Sequence, residues 1–490
     1  MRRGARHLLA LASLVPAAVA AQDGTRKPCD LVINGVYKGG ELLSHMQLFK
    51  QPSGQYNTIA GGGVDATCNG TDQRLLSDSA ESYGDQKLVY LFGHVRYSEA
   101  RVTLTADKMT YWMGEERLLA EGNVVGATNN GTHFRGPVAT YLRVAPGIRS
   151  QSRLDATGRP DVWVSARDAG GKDTKDSVNI LADHVISQND SLVWATRNVV
   201  IKRPDIVATG DSAYMDNGAE LLFLAIRPRV EGKGEHTFTL VGDLITVKSH
   251  QRQVERVKSL GHATATSDEV KLVSDTIDLR VADQKLERAF AWGPGRARAD
   301  AQDRKITADS IDIVMPHQTI REMRAVRRAR AESFPDSTKI ISKDMDWLAG
   351  DTIVAKFDTV SAADTVTKPS VRQIVARGSA KSYYQLAPGG TTERTSTPNI
   401  NYVTGHNITV DMKDKEIETV TVVQGAAGFY LEVTPDSTKA KAASDSTAKA
   451  AGKGRPSATP AKGKPAADSS RIKKPDARTP DADTPPRMTP

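Results

Sequence analysis

Between Leu104 and Gly126 the chain alternates apolar and polar residues, stops, and alternates again. Met109 and Tyr111 lead into Met113-Gly114, and Leu118, Ala120, Gly122 and Val124 lead out. Period-two alternation on both sides of a turn-forming pair predicts a β-hairpin with one buried face. The pattern recurs. A small residue followed by Asp opens an alternating run at Ala106-Asp107, Ala182-Asp183, Gly210-Asp211, Gly242-Asp243, Ser274-Asp275 and Ala308-Asp309, and Gly405-His406 is a variant. From Gly210 these openings are spaced by 32, 32 and 34 residues. A second kind of run follows each, as in Leu192 to Ile201 and Val254 to Ala265, often with a small residue near its middle, as in Leu260-Gly261-His262.

A lone hairpin cannot bury its apolar face in water. Hairpins stacked along one axis can share a continuous inner face. The expected fold is therefore all-β: a repetitive antiparallel β-jellyroll or V-shaped β-solenoid of stacked hairpins, apolar side inward and charged side outward. The mid-strand glycines predict bends or bulges at a corner. Residues 320–330 contain helix formers but fall where every other unit has its return strand, so they read as strand. Ahead of the array, residues 1–21 have a basic start, a short apolar run and a small-residue cleavage site, which is the pattern of a secretory signal peptide. Residues 22–86 read as an irregular cap with first strands, and 87–434 as the repeat array. A break into two modules is expected near 145–177 or 333–370, with loops at 145–157, 166–177 and 388–398. Residues 435–490, dominated by Ala, Lys, Pro, Ser, Asp and Thr, read as a disordered tail.

The formal charge of +8 belongs to the ends. The tail carries +6 and the leader +3, which leaves the body at −1. A body without a concentrated basic face argues against nucleic acid as partner. The two cysteines, Cys29 and Cys68, can pair in an oxidising compartment or remain free thiols. Neither has a second ligand at metal-binding spacing, and no metal or cofactor is expected. Cys29 also lacks the apolar box of a lipoprotein cysteine. The histidines are scattered, no nucleophile elbow is present, and Gly61 to Gly63 is not followed by the Lys-Ser/Thr of a phosphate loop. The chain is therefore not expected to be an enzyme. The Asp residues that open strands read as corner residues; single calcium oxygens are the other reading. Function is expected on the inner face. The candidates are Leu104, Met109, Tyr111, Leu119, Val124, Val185, Val193, Ile206, Leu222, Leu224, Ile245, Val247, Ile277, Leu279, Ile311, Ile313, Ile408 and Val410. Lys108, Arg117 and Arg203 are candidate rim cations. A closed core filled by the same side chains is the alternative.

The unit Leu104 to Val125, with Ala106-Asp107, Tyr111, Leu119-Ala120 and Gly122-Asn123-Val124, resembles the organic-solvent-tolerance (OstA-like) N-terminal domain family. Further copies at 210–230, 308–331 and 405–430 extend the resemblance over about 87–433. The family includes the periplasmic lipopolysaccharide-transport bridge. The resemblance implies an apolar groove for lipopolysaccharide acyl chains, a periplasmic location and end-to-end β-strand stacking with other envelope transport proteins. The array is more than twice as long as the usual bridge and is not followed by a barrel pattern. A structural or protein-interaction β-solenoid of the envelope is the competing expectation.

Overall fold

The computed structural model describes Cys29 and residues 31–433, apart from 130, 165–177, 190, 204–205, 233–236, 251–252, 268–269, 283–284, 302–303, 359–369, 389–393 and 414–415. The expected leader, the tail and the loop 166–177 lie outside the described residues. Among the described residues the fold is all-β, with a single 3₁₀ turn at Pro316–Gln318. Thirty strands form one sheet, and Tyr37–Lys38 with Glu41–Leu42 make a small separate pair. No helix among the described residues is long and apolar enough to cross a membrane.

Successive rungs are neighbours in the sheet, and their strands pair antiparallel. Val102–Trp112 pairs with Leu88–Ser98 on one side and Arg117–Thr128 on the other. The same relation carries through Lys271–Ala282, Lys285–Asp300, Arg304–Val314 and Glu322–Ser333 to Asn399–Lys413. Residues 320–330, helical by propensity, are thus largely strand: packing on like neighbours outweighs a weak local preference.

Each long strand is creased near its middle, where the pairing skips: between Thr105 and Lys108, Glu121 and Val124, Thr196 and Val199, Leu260 and Ala263, Val326 and Ala329. Some rungs are divided there into two strands, as in Arg153–Thr157 with Asp161–Val164. Two local devices alternate along the crease. One rung supplies an Asp. The next supplies two consecutive residues with positive φ: Gly93-His94, Gly122-Asn123, Arg197-Asn198, Ile226-Arg227, Gly261-His262, Arg327-Arg328 and Gly378-Ser379. The Asp carboxylate then accepts from the side chain opposite. His94 meets Asp78 at 2.8 Å, Asn123 meets Asp107 at 2.8 Å, Asn198 meets Asp183 at 2.9 Å, His262 meets Asp243 at 2.9 Å and Arg328 meets Asp309 at 2.9 Å. These hydrogen bonds, with the carboxylate charge behind them, raise the His94 and His262 pKa above the usual imidazole value. The repeated Asp is therefore a corner residue. It serves the next rung's side chain more than its own backbone, although Asp275 does accept from the Gly295 N–H at 2.6 Å.

Glycine is required where the rungs come closest. Gly122 has φ +77, and a Cβ there would lie 2.5 Å from the Asp107 carboxylate. Left-handed backbone costs a side-chain-bearing residue about 1–2 kcal/mol. Gly122→Ala is expected to lower stability by about 1–3 kcal/mol in urea unfolding.

The crease divides the sheet into two arms whose inner faces share one apolar cluster. At the Asp rungs the inward phase slips by one residue. Val102, Leu104 and Ala106 point inward before Asp107; Met109 and Tyr111 point inward after it. Three expectations are corrected here. The described part of the expected cap, from Leu31, holds the expected first strands but is not irregular: His45–Lys50, Tyr56–Gly61, Val64–Cys68, Arg74–Ser77 and Ser79–Tyr83 are rungs of the same ladder. The stretch 145–157 is a loop only at its start, because Arg153–Thr157 pairs with the strand before it. The sheet also shows no break at 145–177 or 333–370: Asp161–Val164 pairs with Val178–Leu181, and Asp346–Phe357 with Val371–Leu386.

Cys29 and Cys68 form a disulfide, with Cα atoms 4.9 Å apart. It sits beside the pairing of Leu31 with Cys68 and ties the first described strand to the ladder.

Candidate functional site

The inner face is continuous from one end of the ladder to the other. Leu104, Met109, Tyr111, Val124, Val185, Val193, Leu224, Ile245, Val247, Ile277, Leu279, Ile311, Ile313, Ile408 and Val410 are all at most 8 % exposed and belong to one cluster. Leu222 is partly buried against it. Two candidates are misplaced. Leu119 points outward between Thr110 and Thr140, and Leu118, one residue earlier, holds the inward position. Ile206 shares the inward phase of Ala208 but lies at the end of its strand, half-exposed. Leu118, Ala120 and Val124 keep one phase across the crease of this strand, so strict alternation selects Leu118 and a one-residue shift is what put Leu119 in its place.

The interior is filled. Between the arms a void of about 30 Å³ remains near Phe134, Tyr141, Leu154, Val162 and Ile180. That is room for about two water molecules, not for an acyl chain. An acyl chain enters this interior only if the arms part.

What holds the arms together lies at the strand tips opposite the crease, and the sequence reading did not find it. Glu99, in the turn after Leu88–Ser98, is on one lip. Glu116, before Arg117–Thr128, and Arg143, after Thr132–Leu142, are on the other. Arg143 Nε donates to Glu99 at 2.7 Å and its Nη1 donates to Glu116 at 2.7 Å. Tyr141 Oη donates to Glu99, Tyr111 Oη donates to Glu116 at 2.8 Å, and the Cys29 N–H donates to Glu116 at 3.3 Å. Gln73, oriented with its amide oxygen on Arg143, donates to Tyr111 Oη at 3.2 Å. All three ionic side chains are under a tenth exposed. Burial alone lowers the Arg143 pKa, but Tyr97 and the two carboxylates carry it above the ordinary guanidinium value. Burial and Glu116 likewise raise the Tyr111 phenol. The signal was present in part: Tyr97, Tyr111 and Tyr141 occupy inward positions, and a buried phenol needs a hydrogen-bond partner. The partners come from turns, where no period places them. Farther along the same mouth, Arg101 Nη2 reaches Asn189 Oδ1 at 3.5 Å across the lips.

The rim cations are otherwise disposed. Lys108 is at the crease, 3.6 Å from Glu121 and 5.9 Å from the Tyr90 ring centroid. Arg117 lies over Trp112 at 3.8 Å, beside Glu115. Arg203 is at a strand tip, its N–H donating to the Ile206 carbonyl.

Another buried acid lies at a strand tip near the far end. The Asp346 carboxyl accepts from the Gln385 N–H at 2.9 Å and its Nε2 at 3.2 Å. Burial pushes its pKa up to about 6, against the pull of those bonds. The folded chain thus holds this proton more tightly than the unfolded one. The resulting stability is complete below the ordinary carboxylate range and is lost as pH rises through about 6. Asp346→Asn is expected to remove this dependence and to gain about 2 kcal/mol at pH 7.5 but little at pH 4, measured by unfolding at both pH values.

The two ends expose apolar side chains on strands with one unpaired edge. Met46, Leu48 and Phe49 of His45–Lys50 are 45 %, 57 % and 48 % exposed. Phe429, Tyr430 and Leu431 of Ala427–Leu431 are 52 %, 53 % and 56 % exposed. No cluster of metal-ligating side chains occurs among the described residues.

No protein-family model matches this chain, and no curated protein is significantly similar to it.

Proposed function

We propose that the chain is an envelope carrier or bridge that shields the acyl chains of a lipid, of the lipopolysaccharide class, between the two arms of a V-shaped, jellyroll-like β-solenoid. Its setting is the periplasm, beside the inner or outer membrane, and its architecture is that of the OstA-like family. The observation that carries the reading is the unbroken apolar inner face, bounded by a crease on one side and a separable lip on the other. Each CH₂ group transferred from water to such a face gains about 0.8 kcal/mol, without directional contacts that would fix the chain in place. No reaction at the protein is required. The exposed end rungs support end-to-end stacking with other envelope transport proteins, since an unpaired edge with apolar side chains invites a further strand. The neutral body gives nucleic acid no purchase.

The filled interior favours a second reading: a β-solenoid that serves as a structural or protein-binding element, with a closed core and no lipid. Photo-crosslinkers placed at Met109, Ile245 and Ile311, with labelled envelope lipid in cells, separate the two. The carrier reading expects adducts from these inward positions and none from outward Val125. Absence of adducts, together with a lipid-free mass spectrum of the purified chain, leaves the structural reading.

A further inference from the structure

On the outer face, at one point, the crease departs from its pattern. Most corners are spanned by two residues of positive φ, but Gly293, Pro294, Gly295 and Arg296 all lie between the paired Trp292 and Ala297, against the single Asp309 of the next strand. The extra length is fixed in place. The Gly295 N–H donates to Asp275 at 2.6 Å, and the Arg296 guanidinium donates to the carbonyl oxygens of Thr307 at 3.2 Å and of Arg328. The bulge stands as a wall.

Beside it is Trp292. Phe290, on the same face, stacks with the indole at 4.6 Å and 25°, and Lys258 Nζ lies 5.6 Å from its centroid. Level with Trp292 on the flanking strands are Thr276 and Ser310, two short hydroxyl residues that leave the indole standing above its neighbours. Past Ser310 come Val326, 36 % exposed, and the corner pair Arg327-Arg328. Arg328 is held by Asp309 at 2.6 Å. Arg327 is exposed and makes no hydrogen bond or ion pair among the described residues. Together they bound a depression of about 710 Å³, a size that suits a small ligand.

The geometry points to a binding site for a sugar bearing a carboxylate or phosphate. The part of the half-buried indole that Phe290 leaves open, on the wall of the depression, gains dispersion contact with the C–H face of a pyranose ring. Thr276 and Ser310 supply hydroxyl partners at its floor. The Arg327 guanidinium offers the fork that carboxylate and phosphate accept bidentately. Such a sugar can belong to a lipid headgroup or to a free acidic saccharide. The site is on the outer face, and it does not depend on what the inner face carries.

The test uses saturation-transfer NMR on the full secreted chain, with glucose 1-phosphate, galacturonic acid, methyl glucoside and adenosine monophosphate as probes. Saturable transfer to both anionic sugars is expected, with affinity about tenfold above methyl glucoside, because a hydrogen bond to a charged group contributes about 1.5–3 kcal/mol. Arg327→Gln should bring the anionic sugars down to the neutral level. Ser310→Phe should fill the trough and remove binding of all sugars while Arg327 and Trp292 remain. Unchanged thermal unfolding of both variants shows that the ladder is intact. Vesicles of a glucuronosyl glycolipid, set against soluble galacturonate oligomers, show which source is preferred; binding of either supports the site. The proposal is overturned by absence of saturable transfer from the anionic sugars in the millimolar range, by binding that neither variant changes, or by adenosine monophosphate binding better than the sugars. None of these outcomes bears on lipid crosslinking from the inner face.

Discussion

Arg143→Met should destabilise the first third of the ladder by about 3–5 kcal/mol, the range seen when one partner of a buried ion pair is removed. The reason is what remains. Glu99 and Glu116 are both buried, both accept from Arg143 at 2.7 Å, and are left with tyrosine and amide donors but no ion-pair partner, the nearby Arg149 being bonded to the Glu116 carbonyl and not to its carboxylate. The cost is therefore dominated by stranded carboxylates, not by the lost attraction. Two controls separate these terms. Adding Glu99→Gln and Glu116→Gln to Arg143→Met removes the stranded charge, and most of the lost stability should return. Arg143→Lys keeps the charge but cannot reach both lips with one planar fork, so an intermediate loss is expected. Urea unfolding followed by a probe in the strands from Leu88 to Leu142 measures all three. A loss under 1 kcal/mol in the single variant would show that the lips do not depend on this cluster. On the carrier reading the same variant has a second effect. With the lips unzipped, crosslinking from Met109 should rise while crosslinking from Ile311 is unchanged.

Cys68→Ala, or reduction of the native chain, should cost about 3–4 kcal/mol, and the loss should be local. The bond closes a sequence separation of 39 residues, and the chain-entropy account gives about 4 kcal/mol for a loop of that size. In a ladder each rung touches mainly its neighbours, so destabilisation spreads slowly along the axis. Hydrogen exchange should show lost protection in Leu31–Asn34, His45–Lys50 and Tyr56–Gly61. Protection in Lys271–Ala282 and beyond should be unchanged. His45–Lys50 has every residue exposed and is paired on one side only, so it has the least to hold it once the bond is cut. Uniform loss of protection along the whole chain would show that the sheet unfolds as one cooperative unit instead.

The sequence determined the class of structure and most of the inner face by itself. Alternation with period two leaves one buried side per strand, and a near-constant spacing of small-Asp openings forces the strands to stack in sequence order. The Asp and, at corners such as Gly122 and Gly378, the glycine also declared the corner, because left-handed backbone costs a glycine least and a Cβ there would crowd the carboxylate across the gap. Tertiary structure decided the rest. The phase slip at each Asp, which turns Val102, Leu104 and Ala106 inward before Asp107 and Met109 and Tyr111 after it, depends on how two arms meet across a crease. The contact of Glu99 with Arg143 joins turns 44 residues apart, and nothing local in a turn says which other turn will face it. The trough around Trp292 likewise exists only because Thr276 and Ser310 fall level with it in the register. A periodic code specifies which side of a strand is buried; closure of the lips and the outer depression depend on long-range pairings that such a code does not contain.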